Sequence, residues 1–442
     1  MKTIGRRVFV KQGALALLAM GLPPEFLLRP LLAGTGRGEG RRKTLICIFQ
    51  RGAVDGLSMV VPFAEPAYYR VRRSIQIAQP RRGADDTALD LDGRFGLHPA
   101  LEPLLDLYRR SEMAVVHAAG SPHPTRSHFD AQDFMETATP GVKSTGDGWL
   151  NRVLQDTSCP DCSGRTLDDP AAHAADHAVG QVAMASVPAL RGIAMGSALP
   201  RSLAGAHPAL AIPDLEALGV AGGDPMEQAF QRLYRGEGGD EVTSAADDAF
   251  EALRILRGTD PARYEPANGA EYPRSDFGRS LRQIAQLIKA DVGVEIAFAD
   301  LGGWDTHVGQ GGARGQLANR LGELARGIRA LYDDLGDRME DVVILTMSEF
   351  GRTVAENGSG GTDHGHANCM FALGGGVRGG AVLGDWPGLE PEQLYEGRDL
   401  AVTTDFRDVF AEVVSGHLGA KHLERVFPGY TIDRERWRGV LR

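Results

Sequence analysis

"VGVEIAFADLGGWDTH" (292–307) decides the fold. Its first nine residues are too continuously apolar for a strand with one wet face, so a strand over 292–300 is expected to be buried on both sides. The glycine-punctuated "LGGWDTH" that follows reads as a polar turn. Beyond it, Leu317, Leu321, Leu324, Ile328 and Leu331 recur at helical spacing across 316–332, which predicts an amphipathic helix with one apolar stripe. "DVVILTMSEF" (341–350) then repeats the buried-strand pattern. Strand, helix, strand is a βαβ unit. Its apolar strands predict an α/β protein with a sheet at least partly parallel and covered by helices on both faces.

The same signals recur outward from this unit. "KTLICIFQRGAVDG" (43–56) reads as a buried strand ending in a glycine turn, "LHPALEPLLDLYRR" (97–110) as a helix and "MAVVHAA" (113–119) as another buried strand. A closing helix over 404–418 would bury Phe406, Val409, Phe410, Val413 and Val414. The expectation is one domain over 44–442, with turn-rich surface inserts near 156–180 and 258–276. "GGGVRGG" (374–380) lacks the Lys-Ser/Thr of a phosphate-binding loop and reads as a hairpin-like turn.

The N-terminus has a different character. In "GRRVFVKQGALALLAMG" (5–21), Arg6 and Arg7 precede an apolar run that is too short to span a bilayer and is broken by Gly21, Pro23, Pro24 and Glu25. Residues 1–43 therefore read as a twin-arginine export signal and linker, which places the mature chain in the periplasm or outside the cell. That segment holds nine of the 48 Lys and Arg and two of the 58 Asp and Glu, so the remainder carries 39 basic against 56 acidic residues, net −17. A surface this acidic repels phosphate backbones and disfavours nucleic acid as a partner. No later segment reaches transmembrane length.

In open α/β sheets, ligands bind at the carboxyl ends of the strands. Asp55 lies just past the first strand, Asp305 and His307 just past the 292–300 strand, Glu349 ends the 341–350 strand, and "TDHGHAN" (362–368) adds Asp363, His364 and His366. Four segments thus deliver carboxylates and imidazoles to one edge, a set that suits a divalent metal, zinc first, with manganese, iron or calcium as alternatives. In an extended segment residues i and i+2 face the same way, so Asp305 with His307, and His364 with His366, can each aim at one ion. Taken singly, each of these could be an ordinary turn or capping residue.

Of the four cysteines, Cys47 and Cys369 sit in apolar runs and read as buried small hydrophobes. Cys159 and Cys162, followed by His173 and His177, approximate a Cys₂His₂ zinc spacing that would staple a surface insert. A Cys159–Cys162 disulfide after export and a redox pair are the other readings.

"RSHFDAQDFMET" (126–137), "GWLNR" (148–152), "GGWDTH" (302–307), "SEFGRT" (348–353), "TDHGHAN", "LGGGVRGG" (373–380) and "TTDFRDVF" (403–410), with the twin-arginine start, resemble the exported bacterial family catalogued as domain of unknown function 1501. That family is grouped with the alkaline-phosphatase/sulfatase-like superfamily, which implies a three-layer α/β/α sandwich and two metal sites. By this resemblance Asp55 and Asp363-His364 would bind one ion, and Asp305 and His307 the second, with His366 as a further ligand. The resemblance departs at the nucleophile. A Ser, Thr or Cys should precede a Pro-Ser-Arg-like run, but the position before Pro124-Thr125-Arg126 that matches is Pro122, which cannot attack. Ser121, Thr125 and Ser127 lie nearby but out of register. Ser127 with His128 is the preferred pair, although a Ser-His pair opening a helix also serves as an N-cap. The resemblance implies a metal-dependent hydrolase of small phosphate or sulfate esters. The alternative is a non-catalytic exported metal-binding or assembly protein that keeps the hydrolase fold.

Overall fold

The computed structural model describes residues 14–16 (backbone only), 41–158, 188–217 and 251–442. Among these described residues the main sheet has ten strands. They are β1 (Ala14–Ala16), β2 (Thr44–Arg51), β3 (Met113–Gly120), β4 (Gly192–Met195), β5 (Ala209–Ile212), β6 (Ile296–Gly302), β7 (Val342–Met347), β8 (Asn368–Gly374), β9 (Val382–Leu383) and β10 (Thr404–Asp405). Their spatial order is β1-β5-β4-β6-β2-β7-β8-β3-β9, with β10 also on β3. Only β8 runs antiparallel to its neighbours, β7 and β3. The remaining pairings are parallel.

The βαβ expectation is met with one change. The helix α5 (Gln316–Leu335) does connect β6 to β7, but β2 lies between them and pairs with both. Strand β6 also begins at Ile296, four residues later than the apolar run. Asp291 and Gly293 take left-handed φ values of 54° and 98° and turn the chain before the ladder starts.

Alternation along the central strands makes three layers. Ile46 and Ile48 of β2 join one cluster with Leu104 and Leu107 of α1 (Glu102–Arg109), Leu281 and Ile284 of α4 (Asp276–Lys289), and Leu321, Leu324 and Ile328 of α5. Leu45, Cys47 and Phe49 of the same strand face the opposite cluster. There they meet Trp149, Leu150 and Val153 of α3 (Trp149–Thr157) and Phe406, Phe410 and Val413 of α6 (Phe406–Leu418). All these side chains are buried, and each Ile, Leu, Val and Phe among them is worth roughly 1.5–3 kcal/mol of transfer free energy. Helix α6 starts where Asp405 accepts the Arg407 N–H and stops at Gly419 with φ 76°, so both boundaries are set by short-range chemistry.

The glycine-rich 374–380 segment is not a hairpin. It carries the chain from β8 past the end of β3, and β9 then pairs with the far side of β3. A Cβ at Gly379 would stand 2.4 Å from the Met113 backbone, which explains the need for glycine in that crossing. The segment near 258–276 is pinned rather than loose, since the Tyr264 and Tyr272 hydroxyls both donate to Asp334 on α5, at 2.7 and 2.8 Å. Cys159, Cys162, His173 and His177 lie outside the described residues. Cys47 and Cys369 are buried with free thiols, and burial pushes both thiols far up. Among the described residues, no helix is long and apolar enough to cross a membrane.

Candidate metal centre

The carboxyl ends of β2, β3, β6 and β7 share one edge, and four segments leaving that edge build the centre. His128 is the first residue of α2 (His128–Thr137), eight residues past β3. Asp305 and His307 follow β6, Glu349 follows β7, and His364 sits in the loop returning to β8. His364 Nε2 is the hub. It lies 3.0 Å from His128 Nε2, 3.0 Å from His307 Nε2 and 3.2 Å from Asp305 Oδ1. Asp305 Oδ1 is also 3.0 Å from His307 Nε2, and Oδ2 is 3.5 Å from His128 Nε2. His128, Asp305 and His364 form a group whose ligand atoms all lie close enough to share one ion. Ligand atoms around a tetrahedral zinc at 2.0–2.1 Å stand about 3.4 Å apart, so the spacing is of the right size.

The outer ring nitrogens fix what the inner ones offer. His128 Nδ1 faces the Glu349 carboxylate at 2.8 Å, His307 Nδ1 faces Asp363 Oδ1 at 3.1 Å, and His364 Nδ1 faces the Arg126 carbonyl at 2.8 Å. Each partner is an acceptor, so each Nδ1 carries the proton and each Nε2 presents its lone pair inward. Three lone pairs and a carboxylate gathered around His364 Nε2 require positive charge there. A metal ion supplies it. So does a proton on His128, which the Glu349 carboxylate favours by raising that imidazole above its ordinary value despite partial burial. His364 is pushed the other way, first by burial and then by His128 and Arg352.

The outer groups are themselves anchored. Glu349 is fully buried, and its Oε1 also accepts from Gln132 Nε2 and the Gly52 N–H, both at 2.9 Å. Burial pushes its carboxyl up, but the bonds from His128 and Gln132 more than offset this and hold it below the usual range. Arg352, fully buried, spends its donors on the carbonyls of Gly52, Ala53, Trp304 and Thr362 and on Asp305 Oδ1 at 2.5 Å. That one guanidinium ties the turns after β2, β6 and β7 together. Gly361 lets the 357–364 loop touch the 304–307 turn, because a Cβ there would stand 2.4 Å from His307 backbone atoms. Gly361→Ala is therefore expected to cost about 1–3 kcal/mol in urea unfolding. Unchanged stability would mean that the two turns separate freely.

Not every residue expected at this edge joins the cluster. Asp55 does not, because both its oxygens are held by Arg72, at 2.6 and 3.0 Å, with Ser58 and Gln310 also donating to it. His366 turns away from His364 despite the i, i+2 spacing. Its buried ring stacks on Tyr395 with centroids 4.4 Å apart and 22° between planes. Asp363 reaches the cluster only through His307, and Glu349 only through His128. Among the described residues, no hydrogen bond links the hydroxyl of Ser121, Thr125 or Ser127 to these histidines. Ser121 Oγ accepts the His123 N–H and Thr125 Oγ1 the Ser127 N–H, while Ser127 stands at the α2 N-cap position with no capping bond. His128, expected to partner Ser127, instead faces His364 and Asp305. The signal for that placement was present, since a His opening a helix just past the 113–119 strand starts at the same sheet edge. Arg352 carried no such signal.

The family model described as "Protein of unknown function (DUF1501)" matches residues 112–425. The chain belongs to this family. The DUF1501 match contains every member of the cluster and leaves Asp55 outside it. The crystal structure of the PsFucS1 sulfatase from Pseudoalteromonas sp. is similar to this DUF1501 chain at a TM-score of 0.35 and 11% identity, covering 91% of this chain and 74% of that one. No curated protein matches the chain.

Proposed function

We propose that the chain is an exported hydrolase of phosphate or sulfate esters that works with a divalent ion held by His128, Asp305, His307 and His364. The observation that supports this best is the inward Nε2 of three histidines, each with its Nδ1 proton committed to an acceptor. That arrangement orients imidazole toward a metal in metalloproteins generally. Three nitrogens and one carboxylate favour zinc, manganese or iron over calcium, which prefers an all-oxygen shell. A divalent ion supplies Lewis acidity, polarising an ester oxygen or acidifying a water. The chain's own part is to orient the ring nitrogens through Glu349, Asp363 and the Arg126 carbonyl, and to fix Asp305 through Arg352. The His307 and Asp305 side chains are 39% and 45% exposed, so a small ester can reach the centre from solvent.

The test is metal analysis of the purified protein beside a panel of aryl phosphate and sulfate esters. Turnover that follows metal content and is lost in His307→Ala supports the hydrolase. Bound metal without turnover on any ester supports the second reading, a metal-binding protein that keeps the fold without catalysis. That second reading draws on the three hydroxyls near 121–127, none of which is bonded toward the cluster.

Two further outcomes are expected. Glu349→Gln removes the charge that binds the His128 Nδ1 proton while keeping the shape, and should weaken metal affinity about tenfold, the low end for partners of ligating histidines. Unchanged affinity in a metal titration would make Glu349 a packing residue. Replacing Arg6 and Arg7 together by Lys should hold the protein in the cytoplasm on cell fractionation, and unchanged export would remove the twin-arginine reading.

A further inference from the structure

We infer that the centre holds one metal ion per chain, not two, and that Arg72 permanently occupies the carboxylate that a second ion would need. The inference rests on the metal reading above. The superfamily resemblance assigns Asp55 to a metal, and the residues around Asp55 do not fit one.

Asp55 and Arg72 are both completely buried. Arg72 NH1 donates to Asp55 Oδ2 at 2.6 Å and to Ser58 Oγ at 3.0 Å, and NH2 donates to Asp55 Oδ1 at 3.0 Å. The other Arg72 donors go to the Thr353 carbonyl at 2.8 Å and the Val354 carbonyl at 2.7 Å. Ser58 Oγ and Gln310 Nε2 donate to Asp55 Oδ2 at 2.8 and 2.7 Å. Oδ2 accepts three donors and Oδ1 faces the second guanidinium nitrogen, so a cation at this carboxylate would stand against a buried guanidinium. A guanidinium stays charged at any working pH, so it cannot be neutralised to make room. A second ion at Asp55 would have to expel it from a sealed site and leave its donors unpaired.

Each of the other carboxylates near the centre has one oxygen committed. Glu349 Oε1 already accepts from His128, Gln132 and Gly52. Asp363 Oδ1 accepts from His307 and from Asn357 Nδ2, the latter at 3.0 Å. The Nε2 atoms of His128 and His307 both lie 3.0 Å from His364 Nε2, so none of the three is left for a separate site. Four protein donors serve one ion, which takes water or an ester as a fifth ligand.

The experiment is to strip the full chain with chelator, titrate it with Zn²⁺, and count bound ions by native mass spectrometry and elemental analysis. One ion per folded chain is expected. Asp55→Asn/Arg72→Gln, which replaces the ion pair by a neutral pair of similar shape, should still bind one. Two ions on the unaltered chain would overturn the inference and leave the metal reading intact. So would loss of the ion from the double variant with its circular dichroism unchanged, since Asp55 would then be a ligand. The count on the unaltered chain decides the matter even if the double variant does not fold. Zero ions would remove the metal reading itself, and this inference with it.

Discussion

His364→Ala is expected to leave less than a tenth of the metal that the unaltered chain retains after dialysis, with its far-UV circular dichroism unchanged. His364 Nε2 is the atom nearest to all the others, at 3.0 Å from two imidazoles and 3.2 Å from Asp305. Removing a partner of a ligating histidine typically costs 10–100-fold in affinity, and removing the ligand itself should cost at least as much. The fold should survive because the side chain lies in a loop and is 24% exposed, outside the two clusters that flank the sheet. Apart from the other cluster residues, the hydrogen bond given up is the one to the Arg126 carbonyl, worth about 1 kcal/mol. Retention of stoichiometric metal would show that the hub position is filled by a proton between His128 and His364 and that the ion sits elsewhere.

The layout of the sheet was legible because burial on both faces leaves an unbroken apolar run, and β2, β3 and β7 each carry one. Strand order was not legible. Nothing in the 292–350 sequence says that β2 will slip between β6 and β7, because that pairing is decided by distant partners such as Leu45 with Ile296 and Thr44 with Val342. At the site, Asp305 Oδ1 and His307 Nε2 stand 3.0 Å apart across a tight turn in which the Thr306 N–H donates to the Trp304 carbonyl. The i, i+2 spacing rule failed for His364 and His366, where the stacking surface of Tyr395, far along the chain, captures the second ring. Asp55 was misassigned for a related reason. A carboxylate at a strand end looks alike in sequence whether its partner is a metal or an arginine, and Arg72 lies in a segment with no distinguishing pattern. The inward set is recognisable only when the acceptors behind each Nδ1 are seen.

Asp55→Ala should be the most destabilising single change near this edge, lowering unfolding free energy by roughly 3–5 kcal/mol, the usual cost of stranding one partner of a buried ion pair. Asp55 sits below the usual carboxylate range: burial raises it, but the Arg72 charge and the bonds from Arg72, Ser58 and Gln310 overcome that. Without the carboxylate, Arg72 is left charged and sealed among Ser58 and the Thr353 and Val354 carbonyls, with no solvent to replace what it lost. The loss should spread to the centre, because Arg72 carries the 353–354 segment that leads into the His364 loop and Gln310 carries the turn after His307. The control is Asp55→Leu/Arg72→Met, which removes both charges at once. Replacing both partners of a buried pair by apolar groups is often neutral or even stabilising, so the double variant should be more stable than Asp55→Ala in urea unfolding. If the single variant loses less than about 1 kcal/mol, the pair is not sealed from water and solvent can take the place of either partner. If the double variant is the less stable of the two, the bonds from Arg72 to the 353–354 carbonyls, rather than the ion pair, hold this edge of the sheet together.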